Sequence, residues 1–311
     1  MYKIFYKTGK MQNVICTIAT DKYFSSFKKY ILKSWMLYAK KYNLGIIVFF
    51  QNIDQSKNAK KTNWQRYLIG DFVTKNISKK IKNIMYLDSD ILINPNSPNI
   101  FKHHNDKKIS VVSAHKNLPY PLQDVLKRVS FFRKKYYSKK YPLDSTIFLT
   151  PEQKYKFHNF KVFNDFYCSG MFIFNCKNFN SFFRKKLYEK YNKNFKSLTG
   201  GDQPSFNFEV NNLGSVKKLN YKFQAIWLYE MAWKYPFLYK FKNTKIIKEC
   251  ISASLMENYF LHFAGAWHES DMIEVGAYPY DQKSYREKKI LDLYIKRKVK
   301  PKSYGLIKPK N

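Results

Sequence analysis

Cysteine, acidic residues and long apolar runs are what this chain has least of. Its four cysteines, Cys16, Cys168, Cys176 and Cys250, form no C-x-x-C pair and show no zinc-ligand spacing. That excludes a zinc module of the ribbon or finger kind. Each lies near an apolar run, so all four read as buried free thiols in a reducing compartment. No segment approaches the roughly 20 apolar residues of a membrane span. The start, Met1-Tyr2-Lys3-Ile4-Phe5-Tyr6-Lys7, lacks the apolar core of a signal peptide. The chain is therefore expected on the side of the membrane where it is made, in the cytoplasm. It contains no internal repeat and no long low-complexity linker.

Acids number only 22 against 57 Lys and Arg, for a net charge of +35. Such a balance suits an anionic partner: nucleic acid, acidic lipid or a phosphorylated substrate. It also accompanies a composition rich in Lys, Asn, Ile, Tyr and Phe together, as AT-rich coding sequence produces. The charge is spread along the chain rather than collected in one block. Lysines with interleaved aromatics are what single-strand nucleic-acid binders use, and that is the alternative reading. No nucleic-acid motif is present, however, and the aromatics fall at core spacing, so no specific nucleic acid is expected. Aromatics make up 19% of the 311 residues, with 27 Phe and 26 Tyr, which implies a core of many large rings. With 45% hydrophobic residues the chain can bury one large α/β domain, with or without a small appendage.

Periodicity gives the order of elements. Val14 to Ile18 reads as a buried strand, and Asp21 offers an N-cap. Tyr23, Phe24, Phe27, Ile31, Trp35 and Tyr38 follow at helical spacing. Ile46 to Phe50 is a second strand. After the polar Asp54-Gln55-Ser56 comes a helix with Trp64, Tyr67, Leu68, Phe72 and Val73 on one face. Ile84 to Leu87 is a third strand. This β-α-β-α-β order argues for right-handed crossovers and a parallel sheet, whose ligands bind at the carboxyl ends of the strands. Ile109 to Ser113 and Phe172 to Phe174 read as further strands, Phe179 to Tyr191 as an amphipathic helix, and helix signals return after Asp202. The proline-bearing stretch from Leu118 to Asn164 reads as a partly helical insertion over the sheet.

The chemistry begins where the third strand ends, at Asp88-Ser89-Asp90. Two carboxylates two residues apart are hard oxygen ligands suited to Mn²⁺ or Mg²⁺. An ion there would neutralise a diphosphate leaving group. Such a pair can also simply cap a turn. In Tyr259-Phe260-Leu261-His262-Phe263-Ala264-Gly265 the histidine is either a satisfied core residue or a third metal ligand beside a glycine that admits close backbone approach. Thr199-Gly200-Gly201-Asp202-Gln203-Pro204 carries a helix-start signature. Asp202 either caps that helix or faces a sugar together with Gln203. Ser169 and Gly170 precede a strand and are candidates for contact with a ligand.

Five segments occur in the order seen in the glycogenin-like retaining glycosyltransferases of family 8, and over about residues 13 to 270 the chain resembles that family. They are Thr17-Ile18-Ala19-Thr20-Asp21-Lys22-Tyr23, Asp88-Ser89-Asp90, Ser169-Gly170-Met171-Phe172, Gly201-Asp202-Gln203 and His262-Phe263-Ala264-Gly265. The resemblance implies a GT-A fold, a Rossmann-like mixed sheet flanked by helices. It implies a UDP-sugar donor, Mn²⁺ (or Mg²⁺) held by Asp88, Asp90 and His262, and hexosyl transfer with retention. It implies that Thr17, Ile18, Ala19, Thr20 and Tyr23 hold the nucleobase, with Tyr23 against the ring. Arg66 resembles the basic residue these enzymes place before the Asp-x-Asp strand, and Asp202 and Gln203 resemble the sugar-contacting pair. Gly265 belongs to the diphosphate motif, and His268 stands where the family has a Lys that meets the diphosphate. Cys168 stands where the family has Asn.

The expected organisation is a transferase domain over residues 1–280, with 118–164 shaping the acceptor site, and a basic tail over 281–311. Inversion, with Asp202 as general base, and a non-catalytic sugar-binding relative are the other readings of the same site. In the tail, Arg286, Lys288, Lys289, Lys296, Arg297 and Lys298 are interleaved with Ile290, Leu291, Leu293, Tyr294 and Ile295. Such a segment suits the interface of an anionic leaflet. It leads to the expectation of peripheral contact with the inner membrane face and of a surface-glycan or lipid-linked acceptor.

Overall fold

The structure is a computed structural model that describes residues 1–9, 11–137, 146–192, 195–198, 201–265 and 267–277. The basic tail over 281–311, and Thr199 and Gly200 of the Gly-Gly-Asp segment, lie outside the described residues.

Strand β1 (Tyr2–Tyr6) opens the chain. Strands β2 (Asn13–Ile18), β3 (Gly45–Phe49) and β4 (Asn83–Leu87) are the three apolar runs. They pair in parallel as β3-β2-β4. The first crossover is α1 (Asp21–Ser26), a π-helical turn over Phe27–Ile31, and α2 (Leu32–Tyr42), which ends on left-handed Asn43. The second is α3 (Thr62–Gln65), a 3-10 turn over Arg66–Leu68, and α4 (Ile69–Asn76). Then follow β5 (Ile91–Ile93), β6 (Ile109–Ser113), α5 (Leu122–Tyr136), α6 (Pro151–Phe157), β7 (Tyr167–Asn175) and α7 (Cys176–Phe182). Last come α8 (Gln203–Leu213), β8 (Val216–Leu219), β9 (Ala225–Ile226), α9 (Trp227–Lys234), α10 (Thr244–Glu257), β10 (Phe260–His262) and α11 (His268–Asp271).

Seven strands form one sheet in the order β1-β3-β2-β4-β7-β6-β8, and β5-β10-β9 form a second, smaller one. The large sheet is mixed, because β7 runs antiparallel to both β4 and β6. The parallel arrangement argued from the element order holds for β3-β2-β4, and β6 and β8 also pair in parallel. The mixed sheet flanked by helices is the fold class the resemblance implies. Strand alternation sorts the core into two layers. Ile15, Met85 and Leu87 face α2, α9 and α10, whereas Val14, Cys16, Ile84 and Tyr86 face α4, α7 and α8. The second layer holds the expected rings: Tyr67 stacks on Phe172, Phe183 and Phe206. All four cysteines are buried free thiols.

Three local expectations are corrected. Strand β1 had no counterpart in the sequence reading; it pairs antiparallel with β3 at the sheet edge, where Lys3 is exposed, none of its other side chains is fully buried and apolar alternation is weak. Asp21 is not an N-cap. Thr20 takes that position without a side-chain cap bond, and Asp21 is the first helical residue, at φ +50°. The helix read as Phe179 to Tyr191 begins at Cys176, capped by the Asn175 side chain, and continues as a π-helix over Phe183–Glu189.

Within the expected insertion, α5 packs on α9. It is tied to α11 by Arg133, whose guanidinium donates to both Glu269 carboxylate oxygens at 2.9 and 3.1 Å with both side chains buried. Thr150 and Gln153 form a capping box at the start of α6. Among the described residues no helix is long and apolar enough to cross a membrane.

Candidate functional site

β4 ends at Leu87, and the turn that follows presents Asp88 and Asp90 before the chain re-enters the core as β5. β10 pairs antiparallel with β5 so that His262 lies opposite Ile91, and Phe263 N donates to Asp90 O at 3.1 Å. The small sheet thus carries His262 to the carboxylates at the end of the large one. His262 Nε2 lies 3.3 Å from Asp90 Oδ1 and 3.8 Å from Asp88 Oδ2. One ligand atom from each of the three residues falls within 4.8 Å of the others.

Three observations fit a divalent cation here. The donor set is two hard oxygens and an imidazole, as Mn²⁺ accepts. Asp90 Oδ1 is buried and accepts no hydrogen bond among the described residues, a costly state for a carboxylate oxygen unless a cation meets it. The far side of the imidazole is already engaged. With its amide oxygen turned inward, Gln224 accepts from His262 Nδ1 at 3.3 Å and from Met171 N at 3.0 Å, while its nitrogen donates to Cys168 O at 3.3 Å. A proton fixed on Nδ1 leaves the Nε2 lone pair directed at the carboxylates, as a metal-ligating histidine requires. Without a cation, burial disfavours a second proton on His262 while the Asp90 carboxylate favours it and holds the pKa above the ordinary value, so a metal ion would compete with that proton for Nε2.

Around this cluster stands a buried polar layer. Arg66, 6% exposed, donates from Nε to Asn63 O at 2.6 Å and from Nη1 to Ser169 O at 2.7 Å. It lies 3.3 Å from both Asp88 Oδ1 and Asp202 Oδ2, and its guanidinium covers the Tyr86 ring at 4.8 Å. Tyr86 OH donates to Asp88 Oδ1 at 2.7 Å. Asp202 stands before α8, yet its side chain makes no cap hydrogen bond. It turns instead to Tyr67 OH, which donates to Oδ2, and to Arg66. Burial raises the Asp202 pKa above the usual carboxylate range, opposed by Arg66 and Tyr67. The Asp202 side chain therefore does not cap α8, and at 2% exposure it is committed to Arg66 and Tyr67.

Two cavities flank the cluster. One, of about 220 Å³, is lined by Tyr23, Tyr30, Ser89, Asp90 and Gly265 among others. The second, of about 410 Å³, is lined by Gln203, Cys168, Gly265 and Trp267 among others. Gly265 belongs to both. Its φ of +93° is one side chains rarely adopt, and a Cβ there would lie 2.6 Å from the Trp267 ring.

No protein-family model and no curated protein matches this chain. Among solved structures it is similar to a glycosyltransferase involved in the glycosylation of the major capsid of PBCV-1, with TM-score 0.47 and 8% identity over 84% of this chain and 99% of that one. It is similar to the bifunctional WbbM glycosyltransferase in its apo form, with TM-score 0.45 and 12% identity over 90% of this chain and 52% of that one. A third is the glycosyltransferase GlyE of Streptococcus pneumoniae TIGR4, with TM-score 0.42 and 14% identity over 93% of this chain and 65% of that one. At these TM-scores the likenesses carry no argument about the reaction, which rests on the geometry.

The structure brings most of the sequence-derived residues together. Asp88, Asp90 and His262 form the cluster. Ser89, Tyr23 and Gly265 share the smaller cavity, and Gln203 lines the larger, its Nε2 donating to Tyr167 O at 3.1 Å. Thr17, Ile18 and Ala19 are buried at the end of β2, behind the half-buried Thr20. The closest neighbours of Gly170 are protein groups: a Cβ there would lie 2.4 Å from His262 Cε1 and 2.7 Å from Asp88 Oδ2. His268 lines neither cavity; it is exposed on α11 with its ring edge-on to Tyr137 at 5.0 Å. Sequence reasoning missed Tyr67, Tyr86 and Gln224. Tyr86 is the penultimate residue of β4 and stands two residues before Asp88, so period-2 alternation carried one residue past the strand points both to the same side. Gln224 carries no local signal.

Proposed function

We propose that this chain is a metal-dependent glycosyltransferase that moves a sugar from a UDP-sugar to a glycan or lipid-linked acceptor. The observation that carries the reading is the convergence of Asp88, Asp90 and His262 within 4.8 Å between two cavities. Five motif segments in the order of the glycogenin-like enzymes support it. Asp88, Asp90 and His262 are the residues that hold Mn²⁺ or Mg²⁺; when bound, the cation offsets the charge of a departing diphosphate.

The chain's own groups supply the rest. Arg66 holds Asp88 on one side and Asp202 on the other, so the ligand carboxylate keeps its aim without spending its free oxygen. Gln224 fixes the His262 tautomer. Tyr23 offers an exposed ring to the base, and Gly265 lets the backbone approach the diphosphate. Gln203 faces the larger cavity, where the sugar and acceptor meet. Asp202 is committed to Arg66 and Tyr67, so it suits positioning better than proton abstraction from an acceptor. We therefore favour transfer with retention by same-face attack over inversion. The division into a domain over 1–280 and a basic tail over 281–311 that touches the anionic inner leaflet belongs to this same proposal.

The purified protein, screened against a panel of nucleotide-sugars with Mn²⁺ or Mg²⁺, tests it. At least one UDP-sugar is expected to bind only with the metal and to be slowly hydrolysed. Failure of every nucleotide-sugar to bind with either metal would overturn the reading.

A further inference from the structure

Among the described residues that line it, the larger cavity has one buried cation and no acid. The cation is Lys154 on α6, only 5% exposed in a chain whose other lysines mostly face solvent. Its Nζ lies 3.1 Å from His115 Nε2 and 4.7 Å from the centroid of the Phe166 ring. No described carboxylate forms an ion pair with it. Asp165, beside Phe166, is taken: Lys218 Nζ lies 2.7 Å from its Oδ2, and Ser113 Oγ donates to its Oδ1 at 2.5 Å. Burial lowers the Lys154 pKa to about 8, and burial with the Lys154 charge lowers that of His115 to about 3. At neutral pH the imidazole is therefore uncharged, and Lys154 contributes the charge of this wall.

An ammonium without a counter-ion is costly to bury. Stability alone would replace it with an apolar side chain of the same length. A ligand that brings its own negative charge removes that cost on binding. The remaining walls suit a sugar. Tyr229, Trp267 and Phe166 offer faces for ring C–H groups, and Gln203 and Thr146 offer neutral hydrogen-bonding groups for hydroxyls. One ammonium matches one carboxylate, whereas a phosphate monoester carries close to two charges.

We propose that this cavity takes a carboxylate-bearing sugar, with Lys154 selecting the acid over the neutral sugar. That the sugar is a substrate rests on the transferase reading; that the cavity prefers the acid does not. The acid belongs either to the donor or to the acceptor, and the two are separable.

Two matched pairs of probes make the test. Methyl glucuronide and methyl glucoside are compared by ligand-observed NMR with UDP and Mn²⁺ present, and UDP-glucuronate and UDP-glucose by calorimetry with Mn²⁺. Each is run on the wild type, Lys154→Met and Lys154→Gln, with melting curves to show that the variants fold. In at least one pair the acid is expected to bind about tenfold more tightly or better, a difference of about 1.4 kcal/mol. Preference in the first pair puts the acid on the acceptor, and in the second on the donor. Both variants are expected to lose the preference and keep the weaker binding of the neutral sugar. Equal binding of acid and neutral sugar in both pairs, or a preference that survives in a folded variant, overturns the proposal. Turnover of a neutral UDP-sugar with no preference would remove the acid site and leave the transferase. Preference among the methyl glycosides, repeated without UDP, with no UDP-sugar binding would do the reverse.

Discussion

Gly170 stands against His262 so closely that a Cβ on the glycine would lie 2.4 Å from the imidazole Cε1. The same atom would lie 2.7 Å from Asp88 Oδ2, so one methyl group would press on two of the three proposed metal ligands. Neither can retreat easily, since His262 is held through Nδ1 by Gln224 and Asp88 by Tyr86 and Arg66. Gly170→Ala is therefore expected to displace the ligands. Overpacking of this kind costs about 1–3 kcal/mol. Mn²⁺ affinity, read by electron paramagnetic resonance, should fall about tenfold or more, with far-UV circular dichroism unchanged. Wild-type Mn²⁺ affinity in the alanine variant would show that the ligand set lies elsewhere.

Asp90→Asn removes the charge of the proposed ligand whose Oδ1 accepts no hydrogen bond among the described residues. An amide is a poor ligand for a hard cation, so metal-dependent turnover is expected to drop by about a hundredfold or more. Stability without metal should change little, because relief of repulsion between two neighbouring acids is opposed by loss of the Asp90 charge beside His262. Assays at saturating Mn²⁺ separate weak binding from lost chemistry. Full activity in this variant would remove Asp90 from the site.

Much of the candidate site was legible because its parts announce themselves locally. An apolar strand that runs into Asp88-Ser89-Asp90 places carboxylates at a strand end whatever the rest of the chain does. His262 was legible through its apolar flanks and Gly265. The partners of these residues were not. Gln224 meets His262 only because the three-stranded sheet sets β9 beside β10, a pairing that no local pattern encodes. Lys154 is one lysine among many, and composition hid it until burial singled it out. The antiparallel β7 was read as a strand, but its direction depends on which neighbours it joins. Asp202 shows the limit from the other side: its sequence context fits a helix cap, and only tertiary packing turned its carboxylate to Arg66 and Tyr67.

Asp202 gives the next test. A lost N-cap costs about 1 kcal/mol and leaves turnover alone. Asp202→Asn keeps the size of the side chain but leaves buried Arg66 with one carboxylate fewer, and Asp202→Ser removes contact with Tyr67 as well. Breaking a buried pair from one side costs about 3–5 kcal/mol at the upper end. Both variants are expected to melt earlier and to turn over at least about tenfold more slowly, while UDP affinity stays close to wild type. Near-normal turnover in both would make Asp202 structural.

The Arg133–Glu269 pair offers a stability test away from the chemistry. Both side chains are buried, and the contact joins the insertion helix α5 to α11 beside Trp267, whose ring lies 4.8 Å from the Arg133 guanidinium. Glu269→Gln is expected to destabilise the fold, by about 3–5 kcal/mol at the upper end, because it takes the Glu269 charge away from a buried guanidinium. The double change Arg133→Met with Glu269→Leu should recover much of that loss. Denaturant melts of the wild type, the single variants Arg133→Met and Glu269→Leu and the double variant measure the coupling, and additive losses in the double variant would rule out a direct pair.

Tyr23 is the residue on which the nucleotide reading of the smaller cavity depends. Its ring is 58% exposed at the start of α1, beside Lys22, and it shares the cavity wall with Ser89, Asp90 and Gly265. An aromatic left half in water contributes little to the fold, so its removal should scarcely change the melting temperature. Stacking of a base on an aromatic ring is worth about 1–3 kcal/mol. Tyr23→Ala is therefore expected to weaken UDP binding by about fivefold to a hundredfold in calorimetry with Mn²⁺ present, and Tyr23→Phe to restore most of it, since stacking needs the ring and not the hydroxyl. Mn²⁺ affinity without nucleotide should be the same in all three proteins, because Tyr23 is not a ligand. If Tyr23→Ala binds UDP as the wild type does, the base lies elsewhere, and the cavity beside Asp90 serves some other part of the donor.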